Sequence, residues 1–332
     1  MMGQETREVE RKVIAILRVL RGSPEPLGGR VIARQLDKLG INLGERAVRY
    51  HLKLMDARGL TQPAGRKDGR TITPSGLDEL GSALVSDRVG SVTTKIQTLV
   101  YQTSFDPQRG DGNVPINLSI FSRDDFHETL RIMKDVSSAE LRVSELVAVA
   151  EEGEKLGDTT IPPGKVGLAT VSSVLLCGVL LKAGIAPESK FGGILQIRNH
   201  KPLRFTDYIE YSGSSLDPAE VFIASRMTSV VRAAHEQNGK ILASFWELPA
   251  LARAEVAKVA DQLDAVGIGD VVALGKSGEV VCELPVAPNR MGMVMSDGLN
   301  LMAAAVEAGI EIENHAMCSV IDSGRLRNFC DL

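Results

Sequence analysis

The chain has 332 residues, 44% of them hydrophobic, a mean hydropathy of +0.02 and a formal net charge of −4. That composition excludes a disordered or fibrous chain and leaves room for two or three packed domains. The charge is unevenly spread: residues 1–75 carry 15 Lys+Arg against 8 Asp+Glu, net +7, while the rest carries 23 against 34, net −11. A small basic unit on an acidic chain offers a local positive potential to phosphates, and the acidic bulk argues against a protein that coats nucleic acid indiscriminately. The charged amino terminus lacks the apolar run of a secretory signal, and the uncharged stretch 166–181 is shorter than the roughly 18 residues of a membrane span. A cytoplasmic chain without a membrane partner is expected, with 166–181 as one buried helix.

Val9, Val13, Ile16, Leu17 and Leu20 form one helical stripe that ends where Gly22 and Pro24 cannot continue it. A second helix over about 28–39 carries Val31, Ile32 and Leu36, and 40–44 turns the chain into a third. In that third helix Val48, Leu52 and Met55 recur at i, i+4, i+7, while Arg46, Arg49, Tyr50 and Lys53 take the opposite stripe. His51 fits either a contact to nucleic acid or packing beside Leu52. Strands 60–63 and 70–73 follow, joined by a tip that pairs an Asp-Gly turn with Arg66, Lys67 and Arg70. Three helices and a basic hairpin read as a winged helix-turn-helix over 1–80 that binds double-stranded DNA. Arg46, Arg49, Tyr50 and Lys53 are assigned to base reading and Arg66, Lys67 and Arg70 to phosphates, with His51 counted among the DNA-binding residues on the first of its two readings.

Residues 86–332 read as an effector-sensing and dimerisation domain. Sliding this region over itself by 125 residues brings Val147, Gly153, Pro163 and Gly167 onto Val272, Gly278, Pro288 and Gly292, and Ala183-Gly184-Ile185 onto Ala308-Gly309-Ile310. The period is too long for a solenoid, so a doubled module is expected, about 114–204 and 239–329. Each copy reads β-α-β-β-α-β, the ferredoxin-like pattern of an antiparallel sheet with helices on one face, giving an α+β chain with a winged helix followed by an α/β effector domain. Residues 205–238 join the copies and supply an extra strand and helix, with Asp217-Pro218-Ala219 as a helix start.

No catalytic or metal set stands out. Gly275-Lys276-Ser277 lacks the earlier glycine of a phosphate loop, because Asp270 stands there, and is expected as a hairpin turn. The five histidines have no metal-ligand spacing, and Cys177, Cys282, Cys318 and Cys330 read as reduced core thiols. No cofactor is expected. The segment 167–174, rich in small hydroxyl residues, reads as the start of the apolar helix; Thr170, Ser172 and Ser173 there serve either as a cap or as donors to an anion, with Arg204 as countercharge.

The runs Gly44-Glu45-Arg46-Ala47-Val48-Arg49-Tyr50-His51-Leu52-Lys53, Gly178-Val179-Leu180-Leu181-Lys182-Ala183-Gly184-Ile185, Asp217-Pro218-Ala219-Glu220-Val221-Phe222-Ile223 and Gly239-Lys240-Ile241-Leu242-Ala243-Ser244-Phe245 resemble the NrpR family of nitrogen-regulatory repressors across nearly the whole chain. The resemblance implies a homodimeric repressor of nitrogen-assimilation genes that binds inverted-repeat operators and releases them when the dicarboxylate 2-oxoglutarate accumulates. It also implies that Thr170, Ser172 and Ser173 hold that effector. A small-molecule-binding protein or enzyme that autoregulates its own operon is the alternative from another class.

Overall fold

The computed structural model describes residues 2–65, 69–81, 90–137, 144–269 and 271–332. Two compact units divide the chain, Met1–Arg88 and Val89–Leu332. Among the described residues no helix is long and apolar enough to cross a membrane.

In the first unit α1 (Met2–Arg21), α2 (Gly29–Lys38) and α3 (Glu45–Ala57) precede the hairpin β1 (Thr61–Pro63) and β2 (Arg70–Ile72), and α4 (Pro74–Gly81) follows. Ile16 and Leu17 of α1, Ile32 and Leu36 of α2, and Val48 and Met55 of α3 meet in one core. Val9 and Val31, assigned to that core by spacing, are 41% and 42% exposed. On α2 the reason is angular: Ile32 and Leu36 share one face, and Val31 is rotated about 100° from Ile32. The hairpin pairs Thr61 with Ile72 and Pro63 with Arg70, and Leu27 adds a bridge to Arg70 through two 3.0 Å backbone bonds. Gly69 lies at φ +91°, where a Cβ would come 2.5 Å from the Leu27 carbonyl carbon, so only glycine lets the hairpin close this tightly.

The second unit begins with α5 (Ser91–Gln102). The stretch expected as the first copy then runs β3 (Asn113–Ser122), α6 (Phe126–Ser137), β4 (Leu146–Ala150), the short pair β5 (Lys155–Leu156) and β6 (Thr159–Thr160), β7 (Lys165–Val171), α7 (Val174–Lys182) and β8 (Glu188–Arg198). The connection supplies β9 (Lys201–Glu210), α8 (Pro218–Ala224) and α9 (Val230–Glu236), one strand and two short helices where one helix was expected. The Asp217 carboxylate caps α8 by accepting from Ala219 N, with Pro218 in the first turn. The stretch expected as the second copy runs β10 (Asn238–Pro249), α10 (Arg253–Asp264), β11 (Val271–Leu274), β12 (Arg290–Ser296), α11 (Asn300–Glu307) and β13 (Ile312–Asp322), and β14 (Arg327–Asn328) is the last strand. A step of 125 residues carries Asn113 onto Asn238, Lys165 onto Arg290 and Val171 onto Ser296, so strand starts and ends recur at the spacing seen in the sequence.

The two five-stranded sheets have the orders β13-β3-β7-β4-β14 and β11-β12-β10-β8-β9, with antiparallel neighbours throughout. Two features differ from the expected one-sided sheets. The last strand of each copy crosses to the other sheet, β8 beside β10 and β13 beside β3. Both faces of the sheet that contains β4 are also covered: Ala148 and Ala150 enter one core with α5 and α7, Val147 and Val149 enter the other with α6 and α11. The cause is visible in β3, where Val114 to Phe121 are all buried, since a continuous apolar run marks a strand packed on two sides.

The stretch 166–181 is not one helix. It is β7, a turn at Ser172 and Ser173, and then α7. An unbroken apolar run has no period and so hides a strand-to-helix junction. All four cysteines are free thiols; Cys177 is buried as expected, but Cys330 is exposed near the end of the chain.

Candidate DNA interface and internal cavity

On α3, Arg46, Arg49, Tyr50 and Lys53 are exposed while Val48, Leu52 and Met55 are buried. The helix therefore presents three cations and an aromatic ring on the side away from the core. Arg49 accepts some order from its own helix, pairing with Glu45 at 2.6 Å, and its stem lies over α2, where a Cβ on Gly29 would come 2.9 Å from Arg49 Cγ. That pair is largely solvated and exchanges readily for a phosphate or a base edge. Arg30 and Arg34, one turn apart on the exposed side of α2, extend the basic surface. Sequence reasoning passed over them, although their i, i+4 spacing opposite Ile32 and Leu36 was available.

His51 does not belong to this surface. It is 6% exposed, its Nδ1 has no hydrogen-bond partner, and burial, followed by the nearby Lys12 charge, holds its imidazole below the usual histidine range. Its place beside Leu52 is in the core. Arg66 and Lys67, expected at the wing tip, lie outside the described residues.

Arg70, expected on a phosphate, instead ties the wing to α3. Its Nε donates to Asp56 Oδ2 at 2.7 Å, and Thr61 Oγ1 donates to Asp56 Oδ1 at 2.6 Å, so one carboxylate holds both strands. The Arg70 and Asp56 side chains are 28% and 22% exposed. Arg70→Ala is expected to lower the stability of the full chain's first unfolding transition by about 1–2 kcal/mol. It should leave the salt dependence of DNA binding as in the parent. A flatter log Kd against log salt plot for that variant would return Arg70 to the phosphates.

In the second unit Thr170, Ser172 and Ser173 are 4%, 2% and 5% exposed. Thr170 sits within β7, its hydroxyl 3.4 Å from Asn117 Nδ2. Ser172 and Ser173 line a small cavity together with Tyr211, Asp217, Trp246 and Asp297. Ser173 stands at the start of α7 without a side-chain cap bond. Arg204 is not brought to this place: it lies on β9, donates to Gln196 Oε1 at 3.2 Å and faces Glu283. The two carboxylates at the cavity oppose a dicarboxylate guest, the reverse of the field expected from the hydroxyl residues alone. Burial, then the Asp297 and Glu220 charges, push Asp217 up to about 7, and burial pushes Asp297 up to about 6.

A larger open cleft of about 760 Å³ lies between α5 and β13. Lys95 and Arg325, the acids Asp158 and Asp322, and the hydroxyls of Ser91, Thr94, Thr98 and Ser319 line it. Lys95 Nζ donates to Ala316 O at 2.7 Å and Glu220 Oε1 accepts from Ala316 N at 2.7 Å, holding the bulged start of β13 from both sides. Nothing in the sequence marked this cleft, because its cations stand 230 residues apart at Lys95 and Arg325. The Lys276 amide donates to Glu279 at a turn over 277–278, but the hairpin turn expected at 275–277 is the start of a long connection, residues 275–289, between β11 and β12.

A family model described as "NrpR regulatory domains NRD1 and 2" matches residues 89–328, and one described as "Ribonuclease R winged-helix domain" matches 14–80. The chain is 39% identical over 315 residues to the "Global nitrogen regulator NrpRI" of Methanosarcina mazei, covering 95% of this chain and 97% of that protein. It is 32% identical over 317 residues to the "Global nitrogen regulator NrpR" of Methanocaldococcus jannaschii, covering 95% of this chain but 54% of that longer protein. Among solved structures, a nitrogen repressor-like protein from Methanococcus jannaschii superposes with a TM-score of 0.61 at 26% identity, covering 72% of this chain and 98% of that one. With residues 89–328 matched by the regulatory-domain model and a winged-helix match ahead of them, the chain belongs to the NrpR family.

Proposed function

We propose that the chain is a transcriptional repressor of nitrogen-assimilation genes, acting as a homodimer on an inverted-repeat operator and released by 2-oxoglutarate. The observation that carries the reading is the exposed set Arg46, Arg49, Tyr50 and Lys53 on the third helix of a winged-helix unit, in a chain whose relatives are named nitrogen regulators. In a winged helix that helix enters the major groove, and a two-fold dimer reads two half-sites a helical turn apart or a multiple of it. The step of 125 residues supports descent of the sensor unit from one duplicated β-α-β-β-α-β module.

For the effector, the cleft beside α5 is the roomier place and the one with cations: Lys95, Arg325 and four hydroxyls offer donors to two carboxylates and a keto oxygen, against Asp158 and Asp322 on the same lining. It is also well placed in the chain, since α5 is the first described helix of the second unit. A ligand held against α5 therefore bears on the segment that links sensing to reading, and shifts the population of DNA-competent arrangements by its differential affinity.

A promoter gel shift titrated with 2-oxoglutarate tests the reading, and operator affinity unchanged at millimolar effector would refute it. Arg49→Ala is expected to cost about 1–3 kcal/mol on the operator and much less on random duplex. Equal losses on both would reassign Arg49 to the backbone of the DNA.

A further inference from the structure

Three short segments of the second unit converge on an open cleft of about 560 Å³: residues 196–198 of β8, 227–229 ahead of α9, and 238–240 of β10, with Arg232 of α9 beside them. In the register of β8 and β10, Arg198 stands opposite Asn238 and Gln196 opposite Lys240, so these four side chains share one face of the sheet. The run before α9 closes the side, since Ser229 N donates to Lys240 O at 2.9 Å and Lys240 N donates to Ser229 Oγ at 2.8 Å. Arg198, Arg232 and Lys240 line the cleft, and no acid does. Residues after 75 carry 34 acids against 23 cations, so an all-cationic lining is the reverse of what that composition scatters over a surface. Arg232 shares its charge with Glu236 at 3.1 Å, whereas neither Arg198 nor Lys240 forms a salt bridge among the described residues.

Hydrogen bonding gives the cleft the same polarity. Gln196 Oε1 accepts from Arg204 Nε at 3.2 Å, Asn238 Oδ1 from Asn199 N at 3.3 Å, and Ser229 Oγ from Lys240 N, so each of these oxygens is already engaged. What Gln196 and Ser229 still bring is an amide NH2 and a hydroxyl proton, both donors. The start of α9 is not part of the site, because the Glu307 carboxylate takes the Thr228 hydroxyl and the Val230 and Val231 amides. Each segment also borders backbone in the left-handed region: Asn199 and His200 follow the first at φ 50° and 62°, Arg226 precedes the second at 52°, and Gln237 precedes the third at 61°. Residues with a Cβ rarely sit there, and four of the eight described cases other than glycine border this one cleft, a concentration that marks ligand sites more often than plain turns. We infer that the cleft binds a phosphate monoester, its phosphoryl group held by Arg198, Arg232 and Lys240 and hydrogen-bonded by Gln196 and Ser229. A phosphoryl group gathers about two negative charges and three acceptor oxygens on one centre, which matches three cations gathered at one place, while a dicarboxylate divides its charge between two ends. The volume lies in the range of small-molecule sites and leaves room for the rest of the ester. The cleft shares no lining residue with the one beside α5, so this site is separate from that of the effector.

The test is titration calorimetry of the full chain with ribose 5-phosphate, inorganic phosphate and 2-oxoglutarate, at one chloride concentration and at about pH 7.5, where the phosphoryl group is largely a dianion. Ribose 5-phosphate is expected to saturate one site per chain and to bind more tightly than inorganic phosphate. Arg198→Gln and Lys240→Met should each weaken it about tenfold or more. Arg131→Gln, which removes an exposed cation paired with Glu128 elsewhere, should leave it unchanged. Absence of saturable binding by both phosphate probes would overturn the site, as would affinity undiminished in both cleft variants. Inorganic phosphate binding as tightly as ribose 5-phosphate would reduce it to an ion site and overturn the ester. Displacement of ribose 5-phosphate by 2-oxoglutarate would give the cleft to the effector, overturning this inference while leaving the repressor reading in place.

Discussion

Gly298→Ala is expected to destabilise the second unit by about 3 kcal/mol or more, close to the limit for one added methyl group. A Cβ at this position would come 2.1 Å from Val171 O and 2.8 Å from Asn117 Nδ2. The first neighbour is backbone in β7, and its strand is held on one side by β3 and on the other by β4, so it cannot retreat without breaking a ladder. The second is no freer, since Asn117 Oδ1 accepts from Met317 N at 2.8 Å and so fixes the bulge of β13. Gly298 does not have a positive φ, which makes the clash a matter of space alone and not of backbone conformation. Gly213→Ala is the control: nothing lies within 4 Å of its Cβ, its φ is not positive, and a change within about 0.5 kcal/mol is expected. Urea unfolding of both full-length variants checks the contrast. Equal midpoints for the two would mean that the junction of β7 and α11 is looser than its packing implies.

What could be read from the residues depended on how local the signal was. The three helices of the first unit were legible because each carries an apolar stripe at helical spacing and ends at Gly or Pro, as α1 does before Gly22. The spacing of strands in the second unit was legible because strand bounds recur 125 residues apart, and a recurrence needs no structural assumption. The exchange of β8 and β13 was not, since an unswapped and a swapped last strand have the same sequence pattern and differ only in which β partner they meet. The role of Arg70 was also hidden: a cation two residues from a wing tip looks the same in sequence whether it faces a phosphate or Asp56, which lies 14 positions earlier. For the same reason the hydroxyls at Ser172 and Ser173 suggested an anion, while the acids that reverse the field come from Asp217 and Asp297, far along the chain.

Asp217→Asn should make the second unit more stable at about pH 8 and flatten its pH dependence. The groups that act on this carboxylate besides burial are Asp297 and Glu220, which raise its pKa, and Lys95 and the Ala219 amide, which lower it; the balance stands at about 7. Unfolded, the same side chain titrates near about 3.9. Because the folded value is the higher one, the folded chain binds the extra proton between these limits, and stability is fully present below about pH 4 and is lost as pH rises through about 7. The size of the loss is of the order of 2–4 kcal/mol, shared with Asp297, whose own value of about 6 adds a second step in the same direction. Asparagine keeps the cap on Ala219 N that Asp217 Oδ1 makes, so α8 is not the reason for any change. Urea midpoints of parent and variant at about pH 5 and pH 8 separate the possibilities: a parent whose stability does not fall across that interval leaves the buried acids without the energetic role their position assigns them. A fall in the parent that survives in Asp217→Asn and disappears in Asp297→Asn moves that role to the start of α11.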